Sequence, residues 1–484
     1  MDALAIGVLL VFIGTYVIIS SEKVNRTGMS LLGMGLTGVV IKAAEVMGIS
    51  DGITFLDLIH HIEWDTVLFV TSMMIIVSVA GGSGMFQFLA LKLAAPSGGR
   101  PKSLYTIFLV FVFFISLFLD NVSTILIMAP LSIQVCQALR MDFKPLLISE
   151  AIVANVGSIP SIVGAVPNIV IAKAANIDAG MLFLTFMPIS MILFIVTWLV
   201  LTYYFKDKFT PTDADNIQLL FRIDPSIMIK SRRDFYASVI AFAGLIIGFT
   251  LSASLGISPS MIAIIVAASL LILAHERAAE FLTEVGWDTI FFLVGLFGLV
   301  GALDLTGIIE AIGDGLLGLI GDNAVIALVF MVWIPAILSA FLDNLPVSAV
   351  LAPVALRFST ISAVLPLALV FAVNVGGNVF TPLGSPSNMV AIGESEKEHD
   401  PISFADFAKA GTFAGMFHLG LGSLWVVLVE LVNFGLLVIS GFAIALLGFI
   451  FIILPQVTGK GFRTIIKEKL NGKLAPEAKV ETPS

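Results

Sequence analysis

Long apolar runs separated by short polar punctuation are the feature that most constrains this chain. A backbone in lipid finds no water to bond, so each run must satisfy its own hydrogen bonds as a helix. The runs cover residues 3–20, 28–46, 67–95, 103–119, 122–139, 145–175 and 180–205. After a polar stretch they resume at 235–255, 261–274, 288–320, 324–341, 345–359, 365–392, 411–432 and 434–455. Only 12% of the 484 residues are charged, against about 25% in soluble domains, and the mean hydropathy is +1.07. The expectation is an all-α polytopic membrane protein whose surroundings are the lipid bilayer.

A net charge of −9 leaves no basic face for nucleic acid. The single cysteine, Cys136, excludes a disulfide framework, and the five histidines show no zinc spacing. No Walker-type phosphate loop occurs, and no nucleophile–base pair is evident, so neither an ATP-driven pump nor an enzyme is expected, and no cofactor. Met1-Asp2 lacks the basic lead of a cleavable signal, so the first run is expected to remain a span. Trp64 and Trp287 read as interface markers, with Asp65 and Asp288 as N-caps of the helices that follow. Basic residues are biased towards one side. With Lys23 and Arg26 placed in the cytoplasm, alternation puts Arg100, Lys102, Arg140, Lys144, the 206–234 linker and the 456–484 tail there too. Only Lys42, Lys173 and Arg357 then fall outside. The N-terminus is expected outside and the C-terminus in the cytoplasm, in the cell (inner) membrane.

Two segments match at a constant offset. Phe118-Leu-Asp-Asn-Val-Ser-Thr-Ile-Leu-Ile-Met-Ala-Pro130 aligns with Phe341-Leu-Asp-Asn-Leu-Pro-Val-Ser-Ala-Val-Leu-Ala-Pro353, and Trp64-Asp-Thr66 with Trp287-Asp-Thr289. Downstream, Asn155-Val-Gly-Ser158 aligns with Asn374-Val-Gly-Gly377, and Asn168 with Asn388. The flanking charge is opposite in the two copies, which makes this an inverted repeat, as in many secondary transporters. The expected division is a first repeat over 1–205, with a re-entrant hairpin at 103–139 and an interrupted helix at 145–175. After the 206–234 linker comes a second repeat over 235–433, with a hairpin at 324–359 and an interrupted helix at 365–392. An extra span at 434–455 precedes the tail.

Polar residues and helix breakers inside such segments are expensive, and so mark function. Asp120 and Asp343 each lie between two apolar arms, with Asn121, Ser123 and Thr124 beside the first, and Asn344 and Ser348 beside the second. Half-crossing arms would put these tips at mid-membrane. Full-crossing arms would leave Asp120 as a surface N-cap. The interrupted helices offer Asn155, Gly157, Ser158 and Asn168, then Asn374, Gly376, Gly377, Asn378, Thr381, Ser385 and Asn388. Unwound carbonyls there can ligate a cation, while amides and hydroxyls bind cargo. Glu150 reads either as a proton or cation relay or as an interfacial charge.

At these clusters the chain resembles the ion transporter superfamily with a citrate-transporter-like domain. More narrowly, it is similar to the branch of arsenite permeases, NhaD-type sodium–proton antiporters and the melanosomal pink-eyed-dilution P protein. The residues that carry this are Phe118–Asn121 with Pro130, Glu150-Ala151 leading to Asn155-Val-Gly157, Asn374–Asn378, Asn388, and Ile402-Ser-Phe-Ala-Asp-Phe-Ala-Lys409. The resemblance implies paired re-entrant hairpins and interrupted helices broken at 156–166 and 376–386. It also implies a homodimer whose transport domains alternate between two faces. Relatives often carry Gly-Asp-Pro-Pro-Asn where this chain has Gly164-Ala-Val-Pro-Asn168.

Both tips carry Asp, and no Lys or Arg lies in the four clusters, so an unpaired dianion would be repelled. The expectation is Na⁺/H⁺-type antiport, with Asp120, Asp343 and Glu150 as proton or cation couplers. Na⁺ would bind at Asp120, Asn121 and Gly157, and at Asp343, Asn344 and Gly376. Coupled transport of arsenite, silicate or a carboxylate such as citrate is the alternative, and an uncoupled channel a second.

Overall fold

The computed structural model describes residues 3–20, 24–49, 52–94, 97, 100–209, 224–321 and 323–458. Every regular element among them is helical. The first half runs α1 (Ala3–Ser20), α2 (Arg26–Val46), α3 (Phe55–His60), α4 (Trp64–Gly82) and α5 (Met85–Ala94). It continues with α6 (Pro101–Ile115), α7 (Asn121–Ala138), α8 (Lys144–Ser158), α9 (Val166–Ala174) and α10 (Ala179–Tyr204). The second half repeats the order: α11 (Arg232–Leu255), α12 (Pro259–Ala274), α13 (Ala278–Thr283), α14 (Trp287–Leu305) and α15 (Ile308–Ile320). Then come α16 (Ala324–Phe341), α17 (Asn344–Phe358), α18 (Leu365–Gly376), α19 (Pro386–Lys397) and α20 (Phe404–Leu431). Each element of the first half thus has its counterpart ten elements on. The added helix α21 (Phe434–Gly448) continues through a π turn into α22 (Leu454–Thr458). Nine helices among the described residues are long and apolar enough to cross a membrane.

Two long apolar runs are not single helices. The run at 67–95 breaks between α4 and α5, and the run at 288–320 breaks between α14 and α15. Gly84 and Gly307 occupy these breaks with φ of +84° and +70°, a backbone region that glycine enters without steric cost. At Gly84 a Cβ would also stand 1.8 Å from the Met228 carbonyl oxygen. The end of the linker docks there, and Lys230 N–H donates to Ser83 O at 3.0 Å. Residues 210–223 of the expected linker, and the tail beyond residue 458, lie outside the described residues.

Ion pairs locate the two faces. On the first, Lys208 pairs with Asp142 at 2.9 Å, and Lys144 with Asp400. On the second, Lys173 pairs with Asp65 at 3.0 Å, and Arg357 with Glu310 and Asp314 at 2.9 and 3.0 Å. The hairpin α6–α7 therefore starts and ends on the first face, whereas α8 and α9 together run from Lys144 on the first to Lys173 on the second. The 15 residues of α6 rise only about 22 Å, short of a hydrocarbon core of about 30 Å. The hairpin's tip is level with the break between α8 and α9, where Ser161 Oγ donates to Leu117 O at 2.6 Å. The hairpin α16–α17 is the inverted counterpart, open towards the second face.

The halves exchange partners. The α2 helix packs on α14 and α12 on α4, while α9 packs on α17 and α19 on α7. Neither half therefore builds its own site.

Candidate functional site

Each hairpin tip is the N-terminus of a helix, and each aspartate caps it. Asp120 accepts from Ser123 N at 3.0 Å and from Ser123 Oγ at 2.5 Å. Asp343 accepts from Leu345 N at 2.9 Å. A carboxylate at this place satisfies orphan amides and sits at the positive end of the helix dipole. The capping that marked the surface alternative is thus present, but at the level of the broken helices.

Asparagines connect the first tip to the breaks and the two breaks to each other. Asn121 Nδ2 donates to Asn155 Oδ1 at 2.6 Å, and Ser385 Oγ reaches the same oxygen at 3.0 Å. Asn155 Nδ2 in turn faces Asn378 Oδ1 and Asn388 Oδ1 at 2.8 and 3.2 Å. In the second copy, Asn374 Nδ2 donates to Asn168 Oδ1 at 2.6 Å, while Asn374 Oδ1 accepts from Ser158 Oγ at 3.0 Å. Asn168 and Asn388 also close their own breaks, donating to Ser158 O and Gly377 O at 2.9 and 2.7 Å. All these asparagines are at most 4% exposed. A buried amide left unbonded costs about 1–3 kcal/mol, so the network binds the halves together. It has one gap. Asn344, the counterpart of Asn121, is 2% exposed, yet its Nδ2 has no hydrogen-bond partner among the described residues.

That gap is on the second hairpin, whose Asp343 lines a cavity of about 740 Å³. Ser123 from the first hairpin and Pro386 from the second break line it as well. Arg26, Glu284 and Asp288 are also among its lining residues. Arg26 Nη1 donates to Asp343 Oδ2 at 3.1 Å, and its other Nη lies 3.9 Å from Asp288. The expectation of a site without basic residues is therefore corrected, since a helix start 317 residues away supplies one. A second cavity, of about 520 Å³, is the repeat counterpart on the opposite face. Phe118, Ile162, Phe242 and Phe249 make it apolar.

Other expected residues take different places. Gly157 and Gly376 serve close packing. A Cβ on Gly157 would stand 2.6 Å from Phe113 O, and one on Gly376 2.4 Å from Ala336 O. Thr381 Oγ1 donates to Ala340 O and fastens the second break to its hairpin. Ser348 Oγ bonds within its own helix, to Leu345 O at 2.6 Å. Thr124 Oγ1 has no partner among the described residues. Glu150 is fully buried, on a helix against which α6, α7 and α10 pack. It accepts from Ser132 Oγ at 2.6 Å, and its Oε2 has no hydrogen-bond partner among the described residues. Asp65 and Asp288 are not N-caps. Glu63 and Gly286 hold those positions, and both aspartates turn to bases in other elements.

Sequence reasoning missed Arg26, Ser387 and Ser161. Ser387, 3.3 Å from Asn155 Oδ1, sits inside the Ser385-Pro-Ser-Asn388 motif and was within reach. Arg26 carried no local signal beyond opening an apolar helix.

Comparison with known proteins places these features in a group. The sequence profile of CitMHS, described as citrate transporter, matches residues 16–373. An uncharacterized transporter of Mycobacterium tuberculosis is 28% identical over 424 residues, covering 86% of this chain and 96% of that protein. The P protein of Homo sapiens is 26% identical over 483 residues, covering 82% of this chain and 57% of its own length. Among solved structures, the YdaH transporter of Alcanivorax borkumensis aligns with a TM-score of 0.49 at 15% identity. That alignment covers 78% of this chain and 88% of that one.

Proposed function

The chain belongs to the citrate transporter family, CitMHS, and from that membership we propose that it is a secondary active transporter exchanging a monovalent cation for protons by alternating access. The observation that carries this reading is the charge of the larger cavity. Asp343, Asp288 and Glu284 face it with Arg26 as the one base among its lining residues. A carboxylate that binds Na⁺ when ionised and releases it when protonated is a minimal exchanger. In this reading the hairpins are re-entrant, Asp343 and Asp120 are the couplers, and Glu150 carries a proton. The asparagine network holds the two breaks in register between states, and Na⁺ and H⁺ are the coupling ions. The first face gathers Lys144, Lys208 and Arg277, and the positive-inside bias supports calling it cytoplasmic, in the plasma or inner membrane. Two such chains are taken to form a homodimer.

The test is radiolabelled Na⁺ uptake driven by a pH gradient in proteoliposomes, with wild type, Asp120→Asn and Asp343→Asn. Both variants are expected to lose exchange. Unchanged flux in both removes the aspartates from coupling. Arg26 and the family's name favour a second reading, coupled transport of a carboxylate, which labelled citrate in the same vesicles would reveal.

A further inference from the structure

This inference rests on the cation-exchange reading and concerns what holds Asp343 before any cation arrives. Arg26 belongs to α2, which is packed on α14, while Asp343 belongs to the hairpin α16–α17. Their 3.1 Å pair therefore joins the hairpin to a helix outside it. The Arg26 side chain is 37% exposed, and its guanidinium rests over Phe292, 5.5 Å from the ring centroid. It also has a second station. Asp288, 3.9 Å from its other nitrogen, is 64% exposed. Among the described residues the first hairpin shows no such pair: Asp120 takes the amide and hydroxyl of Ser123, and the residue of α12 facing Asp65 is Ser260.

We propose that Arg26 is a tethered counter-cation that competes with the transported cation, or with a proton, for Asp343. Loading the site moves Arg26 from Asp343 to Asp288 and frees the hairpin from α2. An empty hairpin stays clamped, which opposes slippage without cargo. The bond to Arg26 and the bond to cargo use one carboxylate, so one excludes the other. The other titratable groups facing this cavity are Tyr16 of α1 and Glu284 ahead of α14, besides Asp288 itself.

The experiment measures Na⁺ half-saturation and its pH dependence for wild type, Arg26→Gln, Arg26→Lys and Asp288→Asn. Thermal-shift titration in detergent would be paired with exchange in proteoliposomes. Arg26→Gln is expected to lower half-saturating Na⁺ by roughly three- to tenfold, and to move proton competition to higher pH, because the positive charge favoured the ionised carboxylate. It should also raise uncoupled Na⁺ leak. Arg26→Lys should stay near wild type. Asp288→Asn, which leaves the pair intact but removes the second station, should raise half-saturating Na⁺, and it keeps the test available if Arg26→Gln does not fold. Wild-type exchange with unchanged values in Arg26→Gln or Asp288→Asn overturns this proposal alone. Folded Arg26→Gln that loses cargo binding, restored in Arg26→Lys, also overturns it and favours an anionic cargo. A wild type without Na⁺/H⁺ exchange sinks the cation reading, and the proposal with it.

Discussion

Asn155 on α8 and Asn388 on α19 are 233 positions apart, yet the amide of one donates to the carbonyl oxygen of the other at 3.2 Å. Their repeat counterparts, Asn374 and Asn168, make the same bond at 2.6 Å. Each bond joins the leading segment of one interrupted helix to the trailing segment of the other. Both breaks are therefore held by the opposite half of the chain.

Replacing either hub tests this. Asn374→Ala removes bonds to Asn168 and Ser158; the buried Asn168 Oδ1 loses its Asn374 donor, while Ser158 Oγ keeps its bond to Asn155 O. The expected cost is about 1–3 kcal/mol, read as a lower thermal midpoint in detergent, with transport lost. A midpoint within error of wild type would mean that the breaks hold without the network.

Gly376→Ala places a methyl 2.4 Å from Ala336 O and 2.6 Å from Ala336 Cα, both backbone atoms that cannot rotate away. Overpacking of this kind costs about 1–3 kcal/mol, and it should push the hairpin arm α16 off α18. Gly244→Ala, which meets nothing within 4 Å, is the control and should leave both stability and flux alone. Equal behaviour of the two variants refutes the close-approach role.

Glu150→Gln keeps a group able to accept the Ser132 hydroxyl, so stability should move by no more than about 1 kcal/mol. If the carboxyl carries a proton in the cycle, exchange driven by a pH gradient falls while Na⁺ binding persists. Retained pH-driven exchange takes Glu150 out of coupling.

Lys173→Met breaks the pair with Asp65 on the second face, where the two side chains are 48% and 40% exposed. Exposed pairs contribute about 0–1 kcal/mol, so the thermal midpoint should barely change. The transport rate is the informative readout, since Lys173 ends α9 and Asp65 begins α4. A midpoint drop of many degrees would show that this contact is part of the fold's core.

Much of the site was legible because membrane helices obey local rules. Asp120-Asn121 and Asp343-Asn344 stand out where every neighbour is apolar, and Gly-Pro-Asn clusters announce breaks in a helix that lipid would otherwise keep whole. The turns at Gly84 and Gly307 were not legible, because a glycine at positive φ leaves an apolar run apolar. The short helices α3 and α13 went unread for a related reason. Each has only six residues, too few for a periodic pattern.

By itself, the sequence determined that the chain is helical, that polar breaks interrupt the segments at 145–175 and 365–392, and that the two halves carry matching motifs. Those features follow from each segment's need to satisfy its own backbone. Only the tertiary structure decided partners. It brought Arg26 to Asp343, set Asn155 between Asn121 and Asn388, covered Glu150, and left Asn344 Nδ2 without a hydrogen-bond partner among the described residues. Such choices depend on how separate helices pack across the exchange of halves, which no local spacing encodes.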